Sequence, residues 1–246
     1  MTAALYVLHH SPWSERARWA LEHHGIAFEE REHVPLIGEL ALRARAKKWS
    51  GKVSVPLFVD PGAGVVVQGS TAIAEHADAI GSGSRLFPPD SRATMNALED
   101  AVEDLLNAAR ARFVLQLGSD REARLESVPP WMRPIPFVAV PSAKLGAWFI
   151  ARKYRASFEG IDARIRAGLQ AVRDALGSRA HVLGAFSYAD ILAASAVQAI
   201  APPAERFLDL PPATRRLWAH PELARELADL IAWRDALYDR SRRRGK

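Results

Sequence analysis

The chain has 246 residues, a formal net charge of +5, 49% hydrophobic and 25% charged residues, and no cysteine. That composition is globular rather than disordered, and the length allows one or two domains with real cores. The missing cysteine excludes disulfides, thiolate metal sites and a protein cysteine nucleophile, so any reactive sulfur must come from a ligand.

Residues 3–8 (ALYVLH) are a short apolar run of strand formers. Ser11-Pro12 opens a helix, with serine at a favoured N-cap and proline at the first helical position, and Gly25 ends it. Residues 26–33 alternate apolar and charged positions, which predicts a partly exposed strand, and a second helix is expected over 36–48. Residues 54–60 read as a strand, and the turn Pro61-Gly62-Ala63-Gly64 joins it to a strand at 65–68. Ser70 then caps a helix to about residue 80. The order β-α-β-α-β-β-α in 80 residues fits a small α/β domain.

Residues 81–91 are a Gly/Ser/Pro linker. Beyond it only helical patterns stand out, at 92–115, 142–153, 158–176, 188–200 and 221–238. The proline-rich stretch 118–141 is expected as a long loop. The division is therefore an α/β domain over 1–80, the linker, an all-helical domain over 92–239, and a basic tail over 240–246. Five of the 33 Lys and Arg residues sit in that tail, and the other 28 balance the 28 acidic residues. The excess charge thus predicts a solvated, disordered end rather than a nucleic-acid-binding face. The N-terminus has no basic region before an apolar stretch, and neither 134–143 nor 181–201 is an uninterrupted apolar span, so a cytoplasmic, non-membrane protein is expected.

Four stretches together resemble the glutathione transferase superfamily, in its serine-type, bacterial-like branch. They are Ser11-Pro-Trp-Ser-Glu-Arg-Ala-Arg18, Val55-Pro56-Leu57, Gly69-Ser-Thr-Ala-Ile-Ala-Glu-His-Ala-Asp78 and Phe186-Ser-Tyr-Ala-Asp-Ile191. The resemblance implies a thioredoxin-like N-terminal domain with Pro56 in a cis peptide, an all-helical C-terminal domain, glutathione as co-substrate, no metal, and a homodimer.

Physical chemistry supports each assignment beside the resemblance. A helix N-terminus favours anions and lowers a thiol pKa, so Ser11 is the candidate donor to the glutathione sulfur, with Ser14 its rival. Tyr6 matches only the tyrosine-using branches and reads as core; His9 and His10 flank the site. Val55, ahead of Pro56, offers its backbone to the cysteinyl part of the tripeptide. Ser70, at another helix start, suits the γ-glutamyl carboxylate. The family's acid before that serine is replaced by Gly69. Either Gln68 or an acid from a partner's helix (Glu99, Asp100, Glu103 or Asp104) is expected to stand in for it. Lys52 is the candidate for the glycyl carboxylate. Trp13, Phe113 and Trp131 are the leading candidates for the electrophile pocket, with Met132, Phe137, Trp148 and Phe149 behind them, and the loop 118–141 is expected to cover it. Ser187 and Asp190 have capping-box spacing, which makes Asp190 structural.

The first function expected is activation of the glutathione thiol for attack on a small hydrophobic electrophile. The alternatives are a non-catalytic binding or scaffold protein of the same fold, and a glutathione-dependent isomerase or dehalogenase using the same site.

Overall fold

A computed structural model describes residues 2–242. Four short strands, β1 (Ala4–Val7), β2 (Glu29–Glu32), β3 (Leu57–Asp60) and β4 (Val65–Gln68), form one sheet in the order β2-β1-β3-β4. β1 runs parallel to β2, and β3 runs antiparallel to both β1 and β4. The parallel pair is joined through helix α1 (Pro12–His23), as a parallel crossover requires, whereas a tight turn joins β3 to β4. β2 is the charged edge, Glu29 to Glu32 all exposed, a composition that discourages further strand pairing.

The strand alternation sends Leu5 and Val7 to one face, where they pack with Phe58, with Ala17 and Leu21 of α1, and with Ile73 and Ala77 of α3 (Ser70–Ile80). Tyr6 faces the other way, against Leu42 of α2 (Glu39–Ala46), Val53 and Leu57. This sheet, with helices on both faces, is the thioredoxin-like half anticipated from the sequence.

The remainder is helical: α4 (Arg92–Ser119), α5 (Arg121–Glu126), α6 (Pro136–Lys153), α7 (Ile161–Leu176), α8 (Tyr188–Val197), α9 (Pro212–Trp218), α10 (Pro221–Glu226) and α11 (Ala228–Ser241). Every residue of α8 is buried, and α4 and α7 pack beside it. Trp19 and Ala20 of α1 join this helical core, so one helix carries both the sheet's packing and the contact between the two halves. At the start of α8, Asp190 accepts hydrogen bonds from the Ser187 N–H (2.8 Å), the Ser187 hydroxyl (3.1 Å) and the Val182 N–H (2.9 Å). It completes the capping box and is structural. No helix among the described residues is long and apolar enough to cross a membrane.

Three expectations need correction. Residues 118–141 are not a loop: they hold α5, a 3-10 turn (Pro130–Met132) and the first turn of α6. Asp120 accepts from the Ala123 N–H at 3.0 Å and caps α5, while Pro136 sits in the first helical turn, where a missing N–H costs nothing. The Glu126 carboxylate then takes the free N–H groups of Ala213 and Thr214 at the start of α9, a helix the sequence patterns did not reveal. The single helix expected over 221–238 is two, broken at Leu227. Finally, the basic end is not all solvated. α11 runs through Ser241, and Arg242 is 5% exposed, its guanidinium on Glu15 (2.8 Å) and Glu22. Residues 243–246 of the expected tail lie outside the described residues.

Candidate active site

A cleft of about 370 Å³ separates the two halves of the molecule. Its N-terminal wall is made by the starts of α1 and α3 and by the loop that leads into β3. Ser11 is the N-cap residue of α1, yet its side chain makes no capping hydrogen bond, and it lines the cleft. The hydroxyl at this position is therefore not consumed by the helix. Ser14, the rival, is fully buried, and its Oγ accepts from the Leu8 N–H at 3.2 Å, away from the cleft.

Val55 and Pro56 line the next part of the wall, joined by a cis peptide. The Pro56 carbonyl accepts from the Gly69 N–H at 3.0 Å, which ties this turn to the start of α3. Gly69 and Ser70 also line the cleft. Gly69 has φ +97 and ψ 145, a region that side-chain-bearing residues avoid. That backbone gives a physical reason for the missing acid. Gln68 does not line the cleft; its Oε1 accepts from the Ser54 N–H at 3.4 Å.

The opposite wall comes from α4, from Tyr154 at the end of α6, and from Trp218 at the end of α9. Glu103, Asn107, Arg110, Phe113, Val114 and Leu117 follow helical spacing along one face of α4. Glu103 accepts from the Trp13 indole N–H (2.8 Å) and from Arg16 Nη1 (2.7 Å), so it reaches the cleft from its own chain. Arg16 is itself fully buried and also donates to Ser195 Oγ at 2.7 Å, joining α1, α4 and α8. Of the other acids considered, Glu99 accepts from the Thr71 hydroxyl, and Asp104 is paired with Arg164.

Trp13 and Phe113 line the cleft. Trp131 does not: it is 69% exposed on the 3-10 turn, outside the cleft. Phe137 and Trp148 are likewise exposed, and Met132 packs with Val128, Ala139 and Ala143 away from the cleft. Two residues with no pocket role assigned from the sequence, His10 and Trp218, take their place beside Phe113. His10 stacks on Phe113, with ring centroids 5.3 Å apart, and Phe113 lies 5.2 Å from Trp218. Desolvation pushes the His10 pKa down to about 4, with help from His9, so its imidazole is neutral. His9 is turned away to Glu30 and the Asp209 carbonyl, and the Glu30 bond raises its pKa.

Cations gather around Tyr154. The Arg110 guanidinium carbon lies 4.0 Å from its ring centroid and 4.6 Å from that of Trp13, and Lys52 Nζ lies 4.3 Å from the Tyr154 ring. Desolvation first, then the charge of Arg110, hold the Lys52 ammonium below its usual pKa. Burial raises the Tyr154 hydroxyl, so it stays protonated. A cleft with one wall of helix starts that also carries Lys52, and one aromatic wall that carries Arg110, can hold an anionic, partly extended ligand against a second, flat one.

Residues 10–80 match the family model of the glutathione S-transferase N-terminal domain. No curated protein matches the chain. Among solved structures, a glutathione transferase from Phanerochaete chrysosporium aligns over 100% of both chains, at 19% identity and a TM-score of 0.63. A glutathione S-transferase from Methylobacterium radiotolerans, in complex with glutathione sulfonate, covers 100% of this chain and 97% of its own, at 19% identity and a TM-score of 0.60. One from Methylobacillus flagellatus, with GSH bound, covers 96% and 95%, at 16% identity and a TM-score of 0.60. Residues 10–80 thus match the glutathione S-transferase N-terminal domain, and the whole chain shares the fold of these solved glutathione transferases.

Proposed function

We propose that the cleft binds glutathione and activates its thiol for attack on a small electrophile. The observation that carries this reading is Ser11, a helix N-cap that lines the cleft and makes no capping bond. In the proposed mechanism the Ser11 hydroxyl donates to the sulfur, and the N-terminus of α1 favours the thiolate over the thiol. The thiol proton leaves to solvent. The sulfur then forms a bond to the electrophilic carbon, and the leaving group departs with its bonding pair. Ser11 stays protonated throughout, because the nucleophile belongs to the ligand.

Val55 would pair its backbone with the cysteinyl residue, as an added strand does. Ser70 and the N-terminus of α3 would take the γ-glutamyl carboxylate, and Lys52 the glycyl carboxylate. Glu103, the one carboxylate lining the cleft among the described residues, would face the γ-glutamyl ammonium in place of the acid missing at Gly69. The assembly we read is a cytoplasmic homodimer, with light scattering as its check.

The test is calorimetry with glutathione, followed by conjugation of a generic aryl halide by the unaltered protein and by Ser11→Ala. Binding is expected at millimolar glutathione or below. Ser11→Ala should lower kcat/KM by roughly 10- to 100-fold, the worth of one charge-assisted hydrogen bond, and raise the thiol pKa of bound glutathione by about 1–2 units. No binding sinks the proposal. Gly69 favours a second reading, a non-catalytic binding protein; glutathione binding without turnover, unchanged by Ser11→Ala, would select it.

A further inference from the structure

We propose that the second substrate carries a carboxylate on a flat framework, and that Arg110 reads that carboxylate. The inference rests on the glutathione reading above and narrows it, since the sequence led only to a small hydrophobic electrophile.

The guanidinium of Arg110 lies against two aromatic rings, Tyr154 at 4.0 Å and Trp13 at 4.6 Å. Contact with two rings restrains the group and leaves N–H donors for hydrogen bonding, and a guanidinium's paired N–H groups suit a carboxylate. Its one internal acceptor is Asn107 Oδ1. Among the described residues it has no ion pair. Glu103, two turns earlier on α4, is held by Trp13 and Arg16. Lys153, whose Nζ lies 5.9 Å from the Tyr154 ring centroid, is paired with Glu39 at 2.6 Å. Lys52 comes from the other wall to the same Tyr154 ring and also lacks an ion pair among the described residues.

Two positive groups thus converge on one partly desolvated corner of the cleft. With Lys52 taking the glycyl carboxylate in the reading above, Arg110 remains the desolvated cation without an anion, and a bound carboxylate on the second substrate offsets that desolvation. The floor beside this corner is apolar and flat, made of Phe113 with the neutral His10 stacked on it and Trp218 alongside. An apolar floor with a cationic corner fits an aryl or conjugated alkenyl carboxylate better than an uncharged hydrocarbon electrophile.

The full-length protein can be tested with glutathione and two matched aryl chlorides, 4-chloro-3,5-dinitrobenzoate and its neutral carboxamide. In each, the sulfur–carbon bond forms, the carbon–chlorine bond breaks, chloride leaves with the bonding pair, and the thiol proton goes to buffer. Relative to the uncatalysed rates, kcat/KM should favour the benzoate by about tenfold or more, and Arg110→Gln should cut that advantage to within about twofold. Equal handling of the two by the unaltered protein overturns the proposal. So does an Arg110→Gln variant that weakens glutathione binding while keeping the benzoate preference, because Arg110 would then serve the tripeptide. A separate arm needs no catalysis: calorimetry of 3,5-dinitrobenzoate against 3,5-dinitrobenzamide without glutathione, on the unaltered protein and on Arg110→Gln. Tighter binding of the benzoate, by about tenfold, that Arg110→Gln removes supports the proposal, and equal binding, or a preference the variant keeps, overturns it. If glutathione itself fails to bind, the functional reading falls while this arm still decides the specificity of the cleft.

Discussion

On the N-terminal side of the cleft, Ser11, Gly69 and Ser70 stand where the chain enters a helix, and Val55 and Pro56 where it enters β3. Across from them, Arg110, Phe113, Tyr154 and Trp218 project from helices that are far apart in the chain. The first wall offers backbone groups and small hydroxyls, and its chemistry depends on φ and ψ. The second offers rings and cations, and its chemistry depends on which helices lie side by side. A conservative side-chain change should therefore hurt the second wall most, whereas a small change in backbone freedom should hurt the first.

Gly69 gives the sharpest way to break this distinction. A Cβ added there meets no atom within 4 Å, so Gly69→Ala introduces no clash. What remains is the strain of a side-chain-bearing residue at φ +97, about 1–3 kcal/mol. The variant should lose that much stability in urea unfolding, and glutathione should bind more weakly as the Pro56–Gly69 link shifts. If Gly69→Ala is neutral in both measurements, backbone conformation does not govern this wall.

His10 offers a pH-dependent effect at the floor of the cleft. Its folded pKa of about 4 lies below the ordinary 6.5, because burial disfavours the charged ring. Between those values the unfolded chain takes up a proton that the folded chain refuses. The stability gained by keeping His10 neutral is present above about pH 6.5 and is lost as pH falls toward 4. The loss should approach 1.4 kcal/mol per pH unit inside that window. His10→Phe keeps a flat ring against Phe113 and removes the titration. Urea midpoints at pH 7.5 and 5 should show the variant losing less stability than the unaltered protein on acidification. Equal losses would mean that His10 is not desolvated as its position implies.

The two walls also differ in how far the residues alone disclosed them. Serine and proline at the start of α1, the strand formers of β1 and β3, and the Val55-Pro56 pair are local signals, each fixed by a few neighbouring residues. The face of α4 was also written locally, since Glu103, Asn107, Arg110, Phe113 and Leu117 keep helical spacing. In a 28-residue helix, however, polar residues at that spacing look the same whether they meet water or a cleft. Only the packing of α6 and α9 against α4 decides it. The start of α6 was misread and α9 was missed: Pro129, Pro134, Pro136 and Pro141 suggested an unbroken loop, although Pro136 is well placed in the first turn of α6 and the helix carries Pro141 inside it. Glu103 was expected to act from a partner's helix, and nothing in its spacing could say that it reaches its own chain's cleft.

Trp131 gives the smallest expected effect and isolates the cause of that misreading. Large size and a proline-rich setting made it a pocket candidate, but neither property fixes where a side chain ends up. The turn that holds it is closed from inside by Met132, which is buried with Val128, Ala139 and Ala143, and this leaves Trp131 outside at 69% exposure. Trp131→Ala removes little buried area and leaves no polar group without a partner, so stability should stay within about 0.5 kcal/mol. Met132→Ala, one residue along, opens a cavity and should cost about 2–5 kcal/mol if the small cluster cannot collapse around it. Thermal unfolding of the pair, with glutathione calorimetry on Trp131→Ala, checks the contrast. Weaker glutathione binding by Trp131→Ala would bring this side chain back to the cleft and undo the separation of the walls drawn here from backbone and packing.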